Sequence, residues 1–232
     1  DSYNGGGDVC LMKLSPSGNS MMYSTYIGGT KLDRGTAITI RETGEVCVAG
    51  ETSSADFPTT DGAFQKNLNG IMGDLFVLEI SADGKSFNYS TLFGGGANEE
   101  VHDIAVDSSG FVYLTGETAS SDLPTTPEAY AQDKDGGIPD AFISKISPDG
   151  KTLTYSTYLG GNKHDSAYAI SLDKEGAAYV TGVTYSSDFP TTPGAIDRMY
   201  EPGSHDAFVS KIDPWGKTLV YSTFLGGKNG ES

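Results

Sequence analysis

The stretch Tyr155-Ser-Thr-Tyr-Leu-Gly-Gly161 recurs along the 232-residue chain at a fixed interval. Its counterparts begin at Tyr23, Tyr89 and Tyr221, so the four copies stand 66 residues apart with no insertion or deletion. A second motif, which begins as Asp56-Phe-Pro-Thr-Thr60, keeps the same step. A long fixed period indicates an array of identical supersecondary units.

The third unit reads as four short β-strands. Apolar residues alternate with others over residues 166–173, 177–184, 206–212 and 218–225, and turns or loops separate these segments. No segment has a sustained helical period. Four antiparallel strands in each repeat are typical of β-propeller blades. The sequence therefore predicts an all-β fold, a β-propeller built from 66-residue four-stranded blades.

The order of the strands within a blade follows from side-chain size. The small residues Ala37, Ala167 and Ala169 suit a strand that is crowded against a central channel. We therefore expect the Ala-Ile strand to be innermost, followed by the Val-Thr-Gly, Asp-Ala-Phe-Val and Tyr-Ser-Thr strands. A phase in which each blade starts at the Asp-Ala-Phe-Val strand is the alternative.

The repeat also predicts the boundaries of the units. A half-blade hairpin occupies residues 1–29, three blades occupy 30–95, 96–161 and 162–227, and residues 228–232 start another repeat. Three full blades and a half-blade form one partial propeller domain. Closed propellers contain about four to eight blades. We therefore expect the chain, which lacks a signal-peptide pattern, to be a piece of a longer propeller.

Composition excludes several classes of function. Fifteen basic and 31 acidic residues give a net charge of −16, which repels phosphate backbones and argues against a nucleic-acid partner. No apolar run is long enough for a membrane span. Cys10 and Cys47 stand where the other units place aromatic residues. They are predicted to be buried free thiols, with a disulfide between them as the less favoured alternative.

The links between strands differ in length. Two links in each unit are tight glycine turns, and the other two are longer, at residues 162–168 and 185–205 in the third unit. Because links alternate between the two ends of an antiparallel sheet, the long links should share one edge, the long-link edge. Variable loops on a rigid scaffold often carry binding sites. This edge is the predicted functional surface.

An acidic residue follows each Gly-Gly pair at the same distance: Asp33, Glu99, Asp165 and Glu231. A ring of carboxylates at a channel mouth would be a candidate site for a cation such as calcium. The favoured explanation is local, with each carboxylate accepting N–H hydrogen bonds in its own loop. The sequence therefore predicts neither a metal nor another cofactor, and calcium at these acids is the alternative.

Positions that differ between the units are the better candidates for binding. One aligned position is occupied in successive units by Thr36, His102 and Tyr168. Another is occupied by Leu32, Asn98 and His164. Arg34, His102, His164 and Tyr168 are therefore the candidate binding residues, although drift in a loop gives similar variety. The sequence holds no Gly-x-Ser-x-Gly, His-Glu-x-x-His or phosphate-cradling motif, and it predicts no catalytic residue.

Four motifs carry a resemblance to a known family. They are Asp140-Ala-Phe-Ile-Ser-Lys-Ile-Ser-Pro-Asp-Gly150, Tyr155-Ser-Thr-Tyr-Leu-Gly-Gly161, Tyr179-Val-Thr-Gly182 and Asp188-Phe-Pro-Thr-Thr-Pro-Gly194. Over essentially its whole length the chain resembles the SBBP family, the bacterial "seven-bladed β-propeller" repeat. The resemblance implies a secreted or surface-displayed bacterial protein and carries over no catalytic residues. The first unit departs from the pattern with Cys47-Val-Ala-Gly50.

Three functions are consistent with these observations. The first is a non-enzymatic extracellular module that acts as a structural scaffold or protein-interaction platform of a bacterial surface assembly. The second is a carbohydrate-binding or carbohydrate-cleaving propeller, in which Tyr130, Tyr185 and Tyr200 stack on sugars. The third is a structural subunit of a surface filament. The expected partner is a protein, the remaining blades of the same polypeptide or a glycan.

Overall fold

The computed structural model describes residues 3–70, 72–136, 139–201 and 205–227. Glu231 and the predicted repeat start at 228–232 lie outside these residues. The described residues form 14 β-strands: β1 (Val9–Leu14), β2 (Met21–Ile27), β3 (Asp33–Ile40), β4 (Val46–Thr52), β5 (Asp74–Ile80), β6 (Phe87–Phe93), β7 (Glu99–Val106), β8 (Val112–Thr118), β9 (Asp140–Ile146), β10 (Leu153–Leu159), β11 (Asp165–Leu172), β12 (Ala178–Thr184), β13 (Asp206–Ile212) and β14 (Leu219–Leu225). Within the described ranges no helix has the length and apolar character needed to cross a membrane.

The strands form one two-stranded sheet and three four-stranded antiparallel sheets. Strand β1 pairs with β2, and the orders of the larger sheets are β3-β4-β5-β6, β7-β8-β9-β10 and β11-β12-β13-β14. This arrangement confirms the predicted all-β fold of three full blades and a half-blade. It also confirms the predicted strand order. The alternative phase is wrong, because β6 does not pair with β7.

Successive sheets pack face to face, and the first strands lie together. Strand β7 contacts both β3 and β11. Apolar side chains of one strand alternate between two cores: Leu75 and Val77 pack towards the second blade, whereas Phe76 and Leu78 pack towards the half-blade. Every residue of β5 is therefore buried. Burial of apolar surface between blades is the main force that stabilises the stack.

A contact between an outer-strand tyrosine and a turn glycine recurs at each junction of two blades. A Cβ atom added to the glycine would lie 2.3–2.6 Å from the tyrosine ring, so a larger residue has no room. The same glycines have positive φ angles, which other residues rarely adopt. This Tyr–Gly contact is made by three pairs: Tyr23 with Gly84, Tyr89 with Gly150, and Tyr155 with Gly216.

The cysteines differ from the prediction in one respect. Both thiols are free, and Cys47 is buried as expected, but Cys10 is exposed. The position of Cys10 corresponds to that of Phe76, which packs towards the preceding sheet, and no described strand covers β1 on that side. Burial, with a smaller contribution from the Glu79 carboxylate, raises the pKa of the Cys47 thiol to about 12.

Alkylation of the native chain by iodoacetamide should therefore modify Cys10 and spare Cys47. A thiolate is the reacting species, and we expect Cys10 to react at least about tenfold faster. Peptide mass mapping after timed quenching would measure both rates, with a denatured sample as the control in which both react. Equal rates in the native chain would contradict the packing of Cys47 against Glu79.

Candidate functional site

The acids after the Gly-Gly pairs close their own loops. Asp33, at the start of β3, accepts hydrogen bonds from the Gly29 N–H at 2.7 Å and from the Ser54 hydroxyl at 2.9 Å. Asp165, at the start of β11, accepts equivalent bonds from Gly161 and Ser186 at 2.7 and 2.8 Å. These carboxylates are buried rather than arranged around an open channel mouth. Their first role is to fix the entry of each inner strand.

Each of these acids also faces a second carboxylate. At the junction of the second and third blades, Asp140 Cγ and Asp165 Oδ2 both lie within 3.0 Å of the position that a Gly160 Cβ would take, so the two groups are at most about 6 Å apart. Asp140 Oδ1 and Asp165 Oδ1 are buried and have no hydrogen-bond partner among the described residues. Asp74 and Glu99 meet in the same way at Gly94.

Proximity and burial perturb the acidity of these pairs. Burial raises the pKa of Asp140 to about 7; the charge of Lys134 opposes this shift, and that of Asp165 adds to it. Burial likewise raises the pKa of Asp165 and of Glu99. In the described part of the chain, no group of three or more His, Cys, Asp or Glu side chains is placed to hold a metal ion. A pair with one raised pKa is suited to retain a proton between its two carboxyl groups.

The inner strands carry a β-bulge at the position that varies between units. The pairing register shifts between Gly35 and Ala37, between Val101 and Asp103, and between Ala167 and Ala169. The bulged residues are therefore Thr36, His102 and Tyr168. A bulge re-aims a side chain and is common next to functional sites. The sequence-predicted variable position is thus also a point of irregular backbone.

His102 and Tyr168 come together across two blades. Their ring centroids are 5.1 Å apart. The His102 Nδ1 atom lies 3.0 Å from the Ala167 carbonyl oxygen, and Nε2 lies 3.9 Å from a carboxylate oxygen of Glu100. Tyr168 is half exposed. Two of the predicted binding residues therefore form one surface with an acidic neighbour.

A serine hydroxyl also approaches His102. Ser166 Oγ lies 3.4 Å from His102 Nδ1, but Ser166 is completely buried. Because a carbonyl oxygen only accepts hydrogen bonds, the shorter contact with Ala167 requires Nδ1 to carry the proton. That nitrogen then cannot act as a base towards the hydroxyl. The arrangement orients the imidazole ring and does not activate Ser166.

His164 lies in a neighbouring group at the same junction. Its Nε2 atom is 2.9 Å from Glu117 Oε2, and its ring stacks on Tyr185 with an interplanar angle of 6°. Tyr185 in turn contacts His205. Glu117 pairs in register with Glu100 on the adjacent strand, so their side chains share one side of the sheet. We call these six residues the junction cluster: Glu100, His102, Glu117, His164, Tyr168 and Tyr185.

Arg34 is not a member of the junction cluster, but it lies near one of its residues, Glu100. It lines a cavity of about 150 Å³ between the first and second blades, together with Glu51 and Glu100. Burial raises the pKa of Glu51, and the charge of Arg34 opposes that shift. The structure therefore distributes the four predicted binding residues between two places.

The longer of the two long links in each blade, between its second and third strands, does not stay at the long-link edge. In the first blade, the middle of this link runs beside the outer strand β6, where the Leu92 N–H donates to the Gln65 carbonyl. The adjacent Phe64 N–H donates to the Gly150 carbonyl of the next blade at 3.0 Å. Tyr130, at the position equivalent to Phe64, is partly buried against the core, and Tyr200 packs edge-on against Phe224. These two side chains do not present open rings to a sugar.

Sequence reasoning named Tyr185 as a residue that could stack on a sugar, but it missed Glu51, Glu100, Glu117 and His205 as members of a site. Only one signal was available: Glu51 and Glu117 occupy the same position of successive units, and the third unit replaces this acid with Val183. A position that changes from charged to apolar is a candidate for the same reason as the His/Tyr position.

Comparison with known protein families identifies the repeat in two segments of the chain. A family model described as the SBBP β-propeller repeat matches residues 88–124 and 154–190. These two segments of the chain match the SBBP β-propeller repeat. Each matched segment runs from an outer strand across the next inner pair to the Asp-(Phe/Leu)-Pro turn, so the SBBP repeat includes the bulge at His102 or Tyr168.

Two further comparisons add little to this assignment. A search of curated proteins found no match to the chain. Among solved structures, the crystal structure of an ACO/RPE65 chimera is similar with a TM-score of 0.44 and 14% sequence identity, covering 92% of this chain and 43% of that one. The chain therefore spans less than half the length of that protein.

Proposed function

We propose that the chain is a non-enzymatic, extracellular β-propeller module that binds a protein partner through the junction cluster. One observation carries the proposal. The recurring acids at the starts of the inner strands are engaged inside their own loops, whereas three of the four non-recurring candidates, His102, His164 and Tyr168, gather at one junction. The acids are therefore accounted for by the loops that they stabilise, whereas the non-recurring side chains are accounted for by binding of a partner.

The chemistry of the junction cluster suits a polar protein surface. Glu100 and Tyr168 are about half exposed, while Glu117 and the two histidines are more protected. Tyrosine supplies a large contact area at low entropic cost, and carboxylates beside it favour a partner with basic residues. The net charge of −16 and the resemblance to secreted bacterial proteins support an extracellular location.

The contacts of the histidines support a role in binding rather than catalysis. His102 is held by a backbone carbonyl, and the nearest hydroxyl, on Ser166, is buried. His164 is held between a carboxylate and an aromatic ring, with no hydroxyl or thiol at its nitrogen in the contacts that the structure describes. A general base needs an unoccupied nitrogen within reach of a substrate proton.

The test compares the parent chain with a triple variant, His102→Ala, His164→Ala and Tyr168→Ala. Each chain would be immobilised, exposed to a surface-protein extract of an SBBP-bearing bacterium and analysed by quantitative mass spectrometry. We expect the triple variant to lose at least about tenfold of the specific capture, as hot-spot residues do. Its free energy of unfolding should change by less than about 1 kcal/mol, because the three side chains are partly exposed.

Trp215→Ala is the matched control, because Trp215 is exposed in a tight turn at the opposite edge of the sheets. Equal capture by the parent and the triple variant would disprove the assignment of the junction cluster. A glycan array is run in parallel with the same variants. Sugar binding that depends on the three residues would replace the protein partner by a carbohydrate.

A further inference from the structure

The cavity between the first and second blades has an acidic lining. The described residues around its volume of about 150 Å³ include four acids, Glu51, Asp74, Glu99 and Glu100, and one base, Arg34. Glu100 is also a member of the junction cluster, so the cavity adjoins that surface. Because the acids outnumber the base, the lining favours a cationic occupant.

Glu51 lies between the two blades at this cavity. Its carboxylate accepts a hydrogen bond from the Thr36 hydroxyl at 3.0 Å, and Oε1 accepts another from the Val101 N–H of the second blade at 3.3 Å. Burial raises the pKa of Glu51, and the charge of Glu100 adds to that shift, whereas the charge of Arg34 opposes it. A cation close to both carboxylates would offset the cost of burial and the repulsion between them.

The next junction of the chain shows what fills the equivalent place. Glu117 on β8 occupies the position of Glu51 on β4. There the following blade supplies the imidazole ring of His164, whose Nε2 atom lies 2.9 Å from Glu117 Oε2. The repeat therefore contains one example in which this acid receives a nitrogen-bearing side chain from outside its own blade.

Smaller residues stand at the junction of the first and second blades. Asn98 has the position of His164, and Ala119 has the position of Tyr185, the ring on which His164 stacks. The Asn98 amide donates to Glu100 Oε1 at 3.3 Å rather than to Glu51. Among the described contacts, Glu51 thus has no partner equivalent to His164, and the open cavity corresponds to the place of that imidazole ring.

A second acid at the cavity has an unused acceptor. Glu99 is 3% exposed, and its Oε2 atom has no hydrogen-bond partner among the described residues. An arginine guanidinium carries five N–H donors in a planar array, so it can serve two carboxylates at once. Met72 also lines the cavity and is 66% exposed, which suits the aliphatic stem of a long basic side chain.

We propose that this cavity receives a basic side chain, with arginine preferred to lysine, from the protein that binds the junction cluster. The inference rests on the proposed function and names the chemistry of its partner. The cationic group pairs with Glu51 and Glu100, in the way that His164 pairs with Glu117 at the next junction. Arg34 offsets only one of the four carboxyl charges and leaves room for a second cation.

The first experiment titrates the isotope-labelled chain with n-butylguanidinium, a mimic of the arginine side chain, and follows the amide resonances by NMR. We expect saturable shifts at residues that border the cavity, such as Ser53, Asn98 and Val101, with a dissociation constant of about 1–10 mM, as suits so small a ligand. The neutral isostere n-butylurea should produce none. A parent chain that shows no saturable shifts there, or equal shifts with the urea, would overturn the proposal.

Two variants place the binding at the cavity. Glu51→Gln removes the charge and keeps the shape, whereas Asn98→His supplies the ring that fills the equivalent place at the next junction. Each should weaken n-butylguanidinium binding at least about tenfold, as neutralising one partner of a charge pair does. Glu42→Gln is the control and should bind like the parent, because Glu42 is an exposed acid in the β3–β4 turn at the opposite edge.

Stability distinguishes a filled cavity from a misfolded chain. Asn98→His should unfold at the same urea concentration as the parent or at a higher one, because its imidazole ring gains Glu51 as a partner. An Asn98→His chain that is folded and binds n-butylguanidinium like the parent would overturn the assignment of the cavity, whatever the result for Glu51→Gln.

The capture assay separates this inference from the proposed function. We expect Glu51→Gln and Asn98→His to lose partner capture although the junction cluster is intact. If the triple variant loses capture while both cavity variants retain it, the proposed function stands and the present inference is wrong. If n-butylguanidinium binds at the cavity but no variant affects capture, the ligand is a free small cation, and the protein partner is excluded.

Discussion

Replacing Gly116 with alanine should lower the free energy of unfolding by roughly 3 kcal/mol or more, as severe overpacking against a fixed backbone does. Gly116 lies on β8 opposite the bulge at His102. A Cβ atom there would lie 1.9 Å from the Glu100 carbonyl oxygen and 2.9 Å from Val101 Cα. Both are backbone atoms, so the clash is relieved only if the bulge is lost. Urea unfolding followed by circular dichroism would measure the change.

Gly96→Ala is the control, because Gly96 is exposed and its Cβ would meet only the side chain of Asp122 at 3.1 Å. That variant should stay within about 0.5 kcal/mol of the parent, as surface substitutions usually do. A Gly116→Ala chain with parental stability would show that β7 and β8 pair without the bulge. The same substitution should also displace His102 from Tyr168, because the bulge aims the imidazole ring.

The fold was predictable from the sequence because nearly every constraint on it recurs. The Tyr23–Gly84 contact and its two counterparts keep one spacing, and a single period predicted blade length and strand number. The small residues of the first strand predicted the strand order. The bulge was not predictable, because it depends on the pairing register of two strands and not on the residues of one. The only sequence signal was the glycine opposite it, at Gly50, Gly116 and Gly182, where a Cβ would lie 1.9 Å from a carbonyl oxygen.

The candidate site was predictable in part. His102 and Tyr168 occupy one position of adjacent blades, so their approach follows from the period. The contact of His164 with Glu117 joins residues from different positions of the repeat, and no pattern in the sequence pairs them. The length of a link likewise gave no information on the path that the link follows. Tyr130 was therefore expected at the long-link edge, whereas the structure packs it against the core between two blades. Cys10 was expected to be buried because its equivalents are, but it lies on an uncovered end of the stack.

The free energy of unfolding should fall as the pH rises from about 4 to about 7, because of the pair formed by Asp140 and Asp165. The pKa of Asp140 is raised to about 7 by burial and by Asp165, whereas an aspartate in an unfolded chain has a pKa of about 3.9. Between these values the folded state binds more protons than the unfolded state. Stability is therefore complete below the unfolded pKa and is lost as the pH rises through the folded pKa, by roughly 1 kcal/mol per pH unit.

Asp140→Asn should remove most of this slope and make the chain at least as stable as the parent at pH ~8. The amide is neutral, and its N–H₂ group can donate to Asp165 Oδ1, which has no other partner among the described residues. Asp61→Asn, at a fully exposed acid, controls for the change in net charge and should leave the slope intact. Urea titrations at a series of pH values would measure all three chains.

Calcium distinguishes a shared proton from a bound cation at the same pair. Two carboxylates supply fewer oxygens than the roughly six to eight that calcium takes, so we expect no stabilisation of the parent by calcium at alkaline pH. A calcium-dependent rise in stability that disappears in Asp140→Asn would instead make the blade junction a cation site. In either case the buried pair at Gly160 links blade packing to the ionic environment, because separating the blades would hydrate both carboxyl groups and return their pKa values towards the unfolded range.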